Sequence, residues 1–163
     1  MNAREAIKVG LGMADYVCLG YLEDLTDADL MRRACPGINH IKWQLGHLIS
    51  SENKMISDCA PGAMPPLPPD FGTKYAKEKS TVDDPSQFHS KQELIAAHKQ
   101  QRAGTIAALD KLSDADLDKE APEAHRSYAP TVGALFSLQG SHWLMHCGQW
   151  AVVRRQLGRP PLF

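Results

Sequence analysis

Residues 130–161 read PTVGALFSLQGSHWLMHCGQWAVVRRQLGRPP. Pro130 and Thr131 are typical of a helix start, and Gly158 followed by two prolines is typical of a helix stop. Between them, apolar side chains recur at helical spacing: Val132, Leu135, Phe136, Leu138, Trp143, Met145, Trp150, Val153 and Leu157. The stretch therefore predicts one long helix, from about residue 131 to about residue 157.

Two histidines of this helix are spaced for metal binding. His142 and His146 are four residues apart, so their imidazoles project from the same helix face about one turn apart. A single ion can bind both, and neutral imidazole is a common metal ligand. The same pair also occurs on helix surfaces with no metal, so a third ligand is needed to support the hypothesis.

Helical patterns also precede this stretch. Apolar residues at three- and four-residue steps predict helices over about 3–22 and about 39–57. Ser90 and Glu93 have capping-box spacing and predict a third helix that extends to about residue 112. The prolines between Cys59 and Gly72 exclude a continuous helix there. We predict an all-α fold, a four-helix bundle of two helical hairpins with a long Pro-rich loop between its second and third helices, as a single domain over 1–163.

A short repeat relates the two halves of the chain. Residues 25–30 read LTDADL and residues 112–117 read LSDADL, and a Gln-x-x-His follows each copy, at Gln44–His47 and at Gln139–His142. The repeat makes the second and fourth helices equivalent, so His47 faces His142 and is the natural third ligand. Coincidence is the alternative, because Thr/Ser-Asp is an ordinary helix start. His40 is the rival ligand, but it lies about two turns before His47.

Charge and composition exclude several functional classes. Eighteen basic against nineteen acidic residues give a formal net charge of −1, without the basic surplus of a nucleic-acid-binding protein. No run approaches the roughly 18 apolar residues of a membrane span. The four cysteines are scattered, which favours reduced thiols and a cytoplasmic location.

Three segments together resemble a known family: Trp43-Gln-Leu-Gly-His47-Leu-Ile, His142-Trp-Leu-Met-His146-Cys-Gly-Gln149, and the run Arg-Arg-Gln-Leu-Gly-Arg-Pro that follows. Over essentially the whole chain the sequence is similar to the DinB-like family of four-helix-bundle metal proteins. The resemblance implies one divalent ion, nickel or zinc with iron or manganese as further candidates, on His47, His142 and His146. Relatives include bacillithiol S-transferases and mycothiol-dependent maleylpyruvate isomerase. It therefore also implies a small-molecule substrate, a low-molecular-weight thiol as cosubstrate, and a homodimer.

Three nitrogen ligands leave a coordination position open, as in catalytic rather than structural sites. Such a site supports hydrolysis by bound hydroxide or transfer of a bound thiolate. The carboxylates that hydrolysis requires are few. The candidates are Glu52, five residues past His47, and Asp15 on the first helix, where Asp15 and Tyr16 would face the interior in a catalytic role. A solvated or salt-bridged carboxylate and a core-edge tyrosine are the alternatives that we favour. We therefore expect a thiol transferase ahead of a hydrolase, and a non-catalytic metal-binding module as the third possibility.

The remaining candidates have supporting roles. Gln149 is expected to hydrogen-bond an imidazole of the site, and Cys147 is expected to be a small core residue because adjacent helix positions diverge. The other histidines are expected to be solvated, capping or core-edge residues: His40, His89, His98 and His125.

Overall fold

The computed structural model describes residues 1–162, and within them the secondary structure is helical, without β-strands. The all-α prediction is confirmed. The six α-helices are α1 Ala3–Leu22, α2 Ile41–Cys59, α3 Phe71–Lys74, α4 Lys91–Asp110, α5 Asp114–Leu117 and α6 Val132–Gln156. None of the helices in this range combines the length and apolar character needed to cross a lipid bilayer.

The four long helices begin and end within about two residues of the predicted bounds, because their caps are local signals. Ser90 and Glu93 form the expected capping box at the start of α4. Thr131 caps α6 by accepting from the Ala134 amide, and Gly158 follows that helix with a φ of 70°. A residue with positive φ cannot continue the helix, and glycine adopts that conformation without a Cβ penalty.

The long helices pack in pairs, α1 against α6 and α2 against both α4 and α6. A Cβ built on Gly140 of α6 would lie 3.1 Å from the Gly10 carbonyl oxygen of α1, so these two backbones approach closely. The core between the helices includes two fully buried indoles, those of Trp143 and Trp150.

A buried group of polar side chains connects all four long helices. Glu52 of α2, with none of its surface exposed, lies 3.1 Å from the Nη1 atom of Arg102 of α4. Glu52 also accepts hydrogen bonds from Thr105 at 2.7 Å and from the Trp143 indole of α6 at 3.2 Å. Arg102 donates through Nε to Asp15 of α1 at 3.1 Å. The charge on each partner is thereby compensated inside the protein.

The connection between α2 and α4 contains α3 and packs on the neighbouring helices. Trp43 donates from its indole to the Ala76 carbonyl at 3.2 Å. The Tyr75 ring lies so close to α2 that a Cβ on Gly46 would be 2.1 Å from it. Only glycine at this position lets the ring reach the helix backbone, one residue before His47.

The two copies of the repeat have the same local geometry. Thr26 and Asp29 exchange side-chain and backbone hydrogen bonds, and Ser113 and Asp116 do the same at the start of α5. A duplication of the chain stays a prediction, because such a capping pair is also an ordinary way to start a helical turn.

The Tyr75 contact predicts opposite effects for two glycine substitutions. Gly46→Ala forces the Tyr75 ring or α2 to move, and overpacking of this kind costs about 1–3 kcal/mol. Gly12→Ala, on an exposed turn of α1 with nothing within 4 Å of the added carbon, should instead stabilise the protein by up to about 1 kcal/mol. Denaturant unfolding of both variants measures the difference, and equal stability would contradict the contact.

Candidate metal centre

Three histidines meet where α2 packs on α6. Each of His47, His142 and His146 offers one nitrogen to the cluster, and these nitrogens all lie within 4.8 Å of one another. The ring centroids are 5.5 Å apart for His47 and His142, 5.7 Å for His47 and His146, and 5.0 Å for His142 and His146. The structure thus brings together the three residues that the sequence singled out.

The helices orient these side chains in two ways. His142 and His146 lie one turn apart on α6, so they share the face that meets α2. His47 is on α2, and the indole of Trp43 stacks on its ring with centroids 5.0 Å apart and planes 6° from parallel. Trp43 is one turn earlier on the same helix, so the stack limits rotation of the His47 ring.

Gln44 contacts one histidine of the cluster through its side-chain amide, a role that was not predicted from the sequence. Its Oε1 atom lies 3.0 Å from Nδ1 of His146, and it also accepts from the Trp150 indole at 2.8 Å. Gln149 was expected to contact an imidazole, but its hydrogen bond is with the Gln44 side-chain amide at 3.0 Å. From the sequence, Gln44 was noted only as part of the Gln-x-x-His repeat, which indicates a duplication.

The other four histidines do not join the cluster. His40 caps α2 by accepting from the Trp43 amide at 3.0 Å, so the capping expectation holds for it, and the rival ligand hypothesis is not supported. His98 and His125 are buried rather than solvated, because each has a carboxylate partner distant in sequence: Asp15 for His98 and Asp58 for His125. His89 is half-buried beside the Tyr75 hydroxyl.

The carboxylates considered as proton acceptors lie in the buried polar group described above. Glu52 already contacts Arg102, Thr105 and Trp143, and Asp15 contacts His98 and Arg102. The expectation that Tyr16 faces the interior is wrong, since 67% of its surface is exposed.

Cys147 is buried, as expected of a small core residue. Its contact with Cys18, followed by burial, raises the pKa of the Cys18 thiol far above its usual value. The Cys18 thiol therefore stays protonated at neutral pH.

Burial sets the protonation state of the cluster. Removal from water, and after it charge repulsion from the neighbouring histidines, lowers the pKa of His142 and of His146 to about 4. Burial also lowers the pKa of His47. A buried imidazole loses hydration when it becomes charged, which favours the neutral form. All three rings are therefore neutral at pH 7, the state in which imidazole binds a metal.

The donor set fits a divalent ion. Within residues 1–162, the ring nitrogens of His47 and His142 have no hydrogen-bond partner, so their lone pairs are available. Metal–imidazole bonds of about 2.0–2.1 Å place two nitrogens on one ion at most about 4.2 Å apart. The nitrogens lie within 4.8 Å of one another, so small rotations of the side chains would bring them to this separation.

The cluster is separate from two surface grooves. One, of about 580 Å³, lies between α1 and α4 and includes Asp15, Leu19 and Lys99 in its lining. The other, of about 520 Å³, lies between the Pro-rich connection and α4. The linings of both grooves lack the three histidines.

The fold and the cluster define an all-α protein in which two long helices contribute three convergent imidazoles, the donor set of a divalent-metal site. The sequence model of the DinB superfamily matches residues 16–150, and the chain belongs to this superfamily. The family recognised from the sequence is thereby confirmed. No curated protein was found to match the chain.

The lowered pKa values predict an acid-sensitive apoprotein. In the unfolded chain these histidines titrate near about 6.5, so between about pH 6.5 and pH 4 the unfolded state binds more protons than the folded state. The free energy of unfolding should therefore decrease as the pH falls through this window. NMR titration of the metal-free protein should give midpoints near pH 4 for His142 and His146. Midpoints near 6.5 would contradict the burial of the cluster.

Proposed function

We propose that this chain binds one divalent metal ion through His47, His142 and His146. The observation that carries the proposal is the convergence of three neutral imidazoles from two packed helices. A histidine pair on a helix surface without a metal needs neither a third imidazole from a distant helix nor the loss of its hydration. Membership of the DinB superfamily, whose members often bind metal, points in the same direction.

We propose nickel or zinc as the ion, ahead of iron or manganese. Within the described residues, every potential ligand of the cluster is a histidine. Imidazole nitrogen suits zinc, nickel, copper and iron better than it suits manganese or magnesium. Family resemblance selects nickel and zinc within that group.

Three protein ligands favour a catalytic site over a closed structural one. When bound, the ion would supply a Lewis-acid position at which a thiol or a water molecule loses its proton more easily. The chain's own residues would hold the ion, and the Trp43 indole would form an apolar wall beside His47. Trp43 also contacts the Ala76 carbonyl, so we propose that the substrate enters on this side, next to the Pro-rich connection, and not in the α1–α4 groove.

We infer that the reaction joins a low-molecular-weight thiol to a small electrophile. The thiol proton goes to solvent and the sulfur forms a bond to the electrophilic carbon. In a substitution that carbon releases its leaving group with the electron pair of the broken bond, and in an addition the neighbouring atom takes that electron pair and is protonated by solvent. Hydrolysis is the second candidate, but Glu52 is fully buried and already has three partners, so it is poorly suited to accept a proton from water. A non-catalytic metal-binding module is the third.

Further proposals concern the whole protein. We propose that α1, α2, α4 and α6 form a four-helix bundle of two hairpins joined by the Pro-rich loop, as one domain over 1–163. We also propose a homodimer, supported by exposed apolar side chains on the adjoining helices α1 and α6, including Val9, Met13, Met145 and Val152. Free thiols at all four cysteines support a cytoplasmic location.

Metal content tests the site directly. The purified protein should bind one equivalent of nickel or zinc, and His47→Ala, His142→Ala and His146→Ala should each lose most of it because three ligands are the minimum for tight binding. His89→Ala and His125→Ala, which change histidines outside the cluster, should keep it. Elemental analysis and calorimetric titration measure both sets, and equal retention in all five variants would refute the assignment.

Activity tests the reaction class. The metal-loaded protein should conjugate a model electrophile with bacillithiol, mycothiol, glutathione or cysteine, and His142→Ala should be at least about 100-fold slower, since loss of the ion removes its stabilisation of the thiolate. Chromatographic detection of the conjugate measures the rate. Metal-dependent hydrolysis of esters or amides without conjugation would establish the hydrolase, and tight metal binding without either activity would establish the non-catalytic module.

A further inference from the structure

Gln44 lies between the candidate metal centre and the core, and 1% of its surface is exposed. It is on α2, three residues before His47, and its amide faces His146 of α6. A buried amide with four hydrogen-bonding positions needs partners for all of them. Gln44 has four such partners. Its oxygen accepts from the rings of His146 and Trp150, and its nitrogen donates to the Gln149 side-chain oxygen and to the Asn39 carbonyl.

Two of these partners fix the orientation of the amide. The Trp150 indole N–H can only donate, so the Gln44 atom 2.8 Å away must be the oxygen. The Asn39 carbonyl can only accept, so the atom facing it must be the nitrogen. Exchanging the oxygen and nitrogen would set a donor against a donor on one side and an acceptor against an acceptor on the other.

The fixed amide determines where the proton of His146 lies. Gln44 Oε1 can only accept, and it is 3.0 Å from Nδ1 of His146. Nδ1 must therefore carry hydrogen to make this bond. In a neutral imidazole the other nitrogen then has a free lone pair, which makes Nε2 the only atom of His146 that can bind a metal.

We propose that Gln44 is a positioning residue of the metal centre, whose side-chain oxygen keeps the His146 proton on Nδ1 and so presents Nε2 as the ligand atom. The claim about the tautomer stands on the hydrogen bonds alone, whereas its consequence for metal affinity rests on the proposed function. One helix thus supplies both a ligand, His47, and the group that orients a ligand on the partner helix.

The chain provides a matched control in the second Gln-x-x-His. Gln139 stands three residues before His142 as Gln44 does before His47, and it is equally buried, with 1% of its surface exposed. Its amide nitrogen donates to the Leu135 carbonyl at 2.8 Å and contacts the Met55 sulfur at 3.4 Å, away from the three rings. Replacing it with methionine removes a buried amide from an equivalent position without removing a contact to a ligand.

Three variants separate positioning from packing. Gln44→Met removes the acceptor, Gln44→Glu keeps an acceptor but removes the donor to Asn39 and to Gln149, and Gln139→Met is the control. Long-range ¹H–¹⁵N NMR spectra of the metal-free proteins at pH 7.5 report which nitrogen of His146 carries hydrogen. The wild-type protein, Gln44→Glu and Gln139→Met should show the Nδ1–H form, and Gln44→Met should lose it. Denaturant unfolding should show that Gln44→Glu is destabilised although its tautomer is unchanged.

The second measurement is the affinity of each protein for zinc, determined by titration with the metal alone. Gln44→Met should bind zinc about 10- to 100-fold more weakly than the wild type, as is usual when a group that orients a ligand is removed. Gln139→Met should bind within about twofold of it. An unchanged tautomer or unchanged zinc affinity in Gln44→Met, or loss of the Nδ1–H form in Gln44→Glu, would overturn the proposal. Failure of the wild type to bind any divalent ion would instead overturn the metal centre, while the metal-free spectra would still decide the tautomer.

Discussion

The ion pair between Glu52 and Arg102 is the interaction on which the rest of the structure depends. Both side chains are almost fully buried, and burial of charge is costly unless each charge is paired and hydrogen-bonded. Asp15, Thr105 and Trp143 add hydrogen bonds to this pair, so its contacts come from all four long helices. The Nη1 and Nη2 atoms of Arg102 are buried without a hydrogen bond, so Arg102 is held by its charge partners and by its Nε hydrogen bond. We expect such a group to define one arrangement of the helices more than it adds to net stability.

The position of the three-histidine cluster follows from this pairing. Trp143, which donates to Glu52, is the residue after His142, and Glu52 is a little over one turn beyond His47 on α2. The hydrogen bond from Trp143 to Glu52 therefore fixes the position of α6 along the axis of α2. A shift of one helical turn would move the α6 histidines about 5.4 Å from His47 and would also leave the Glu52 carboxylate without its indole partner. The same contact thus serves both packing and ligand geometry.

Local signals made most of the helices and the His142–His146 pair predictable from the sequence, and the repeat and the family resemblance added His47. Caps such as Ser90 and Thr131 depend on residues within a few positions, and so does the four-residue spacing of His142 and His146. Burial of His98 and His125 was not predictable, because each depends on a carboxylate more than 60 positions away. The role of Gln44, 102 positions from His146, was missed for the same reason.

The distance in sequence between α2 and α6 has a consequence for biosynthesis. The ribosome delivers α6 after the other three long helices, and it carries two of the three imidazoles as well as the indole partner of Glu52. The nascent chain therefore holds the Glu52 and Arg102 charges without their full set of partners until α6 docks. It also cannot acquire a three-coordinate ion during synthesis of α1 to α5. An ion at the proposed centre would therefore be held by all three histidines in the completed fold but not by the growing chain.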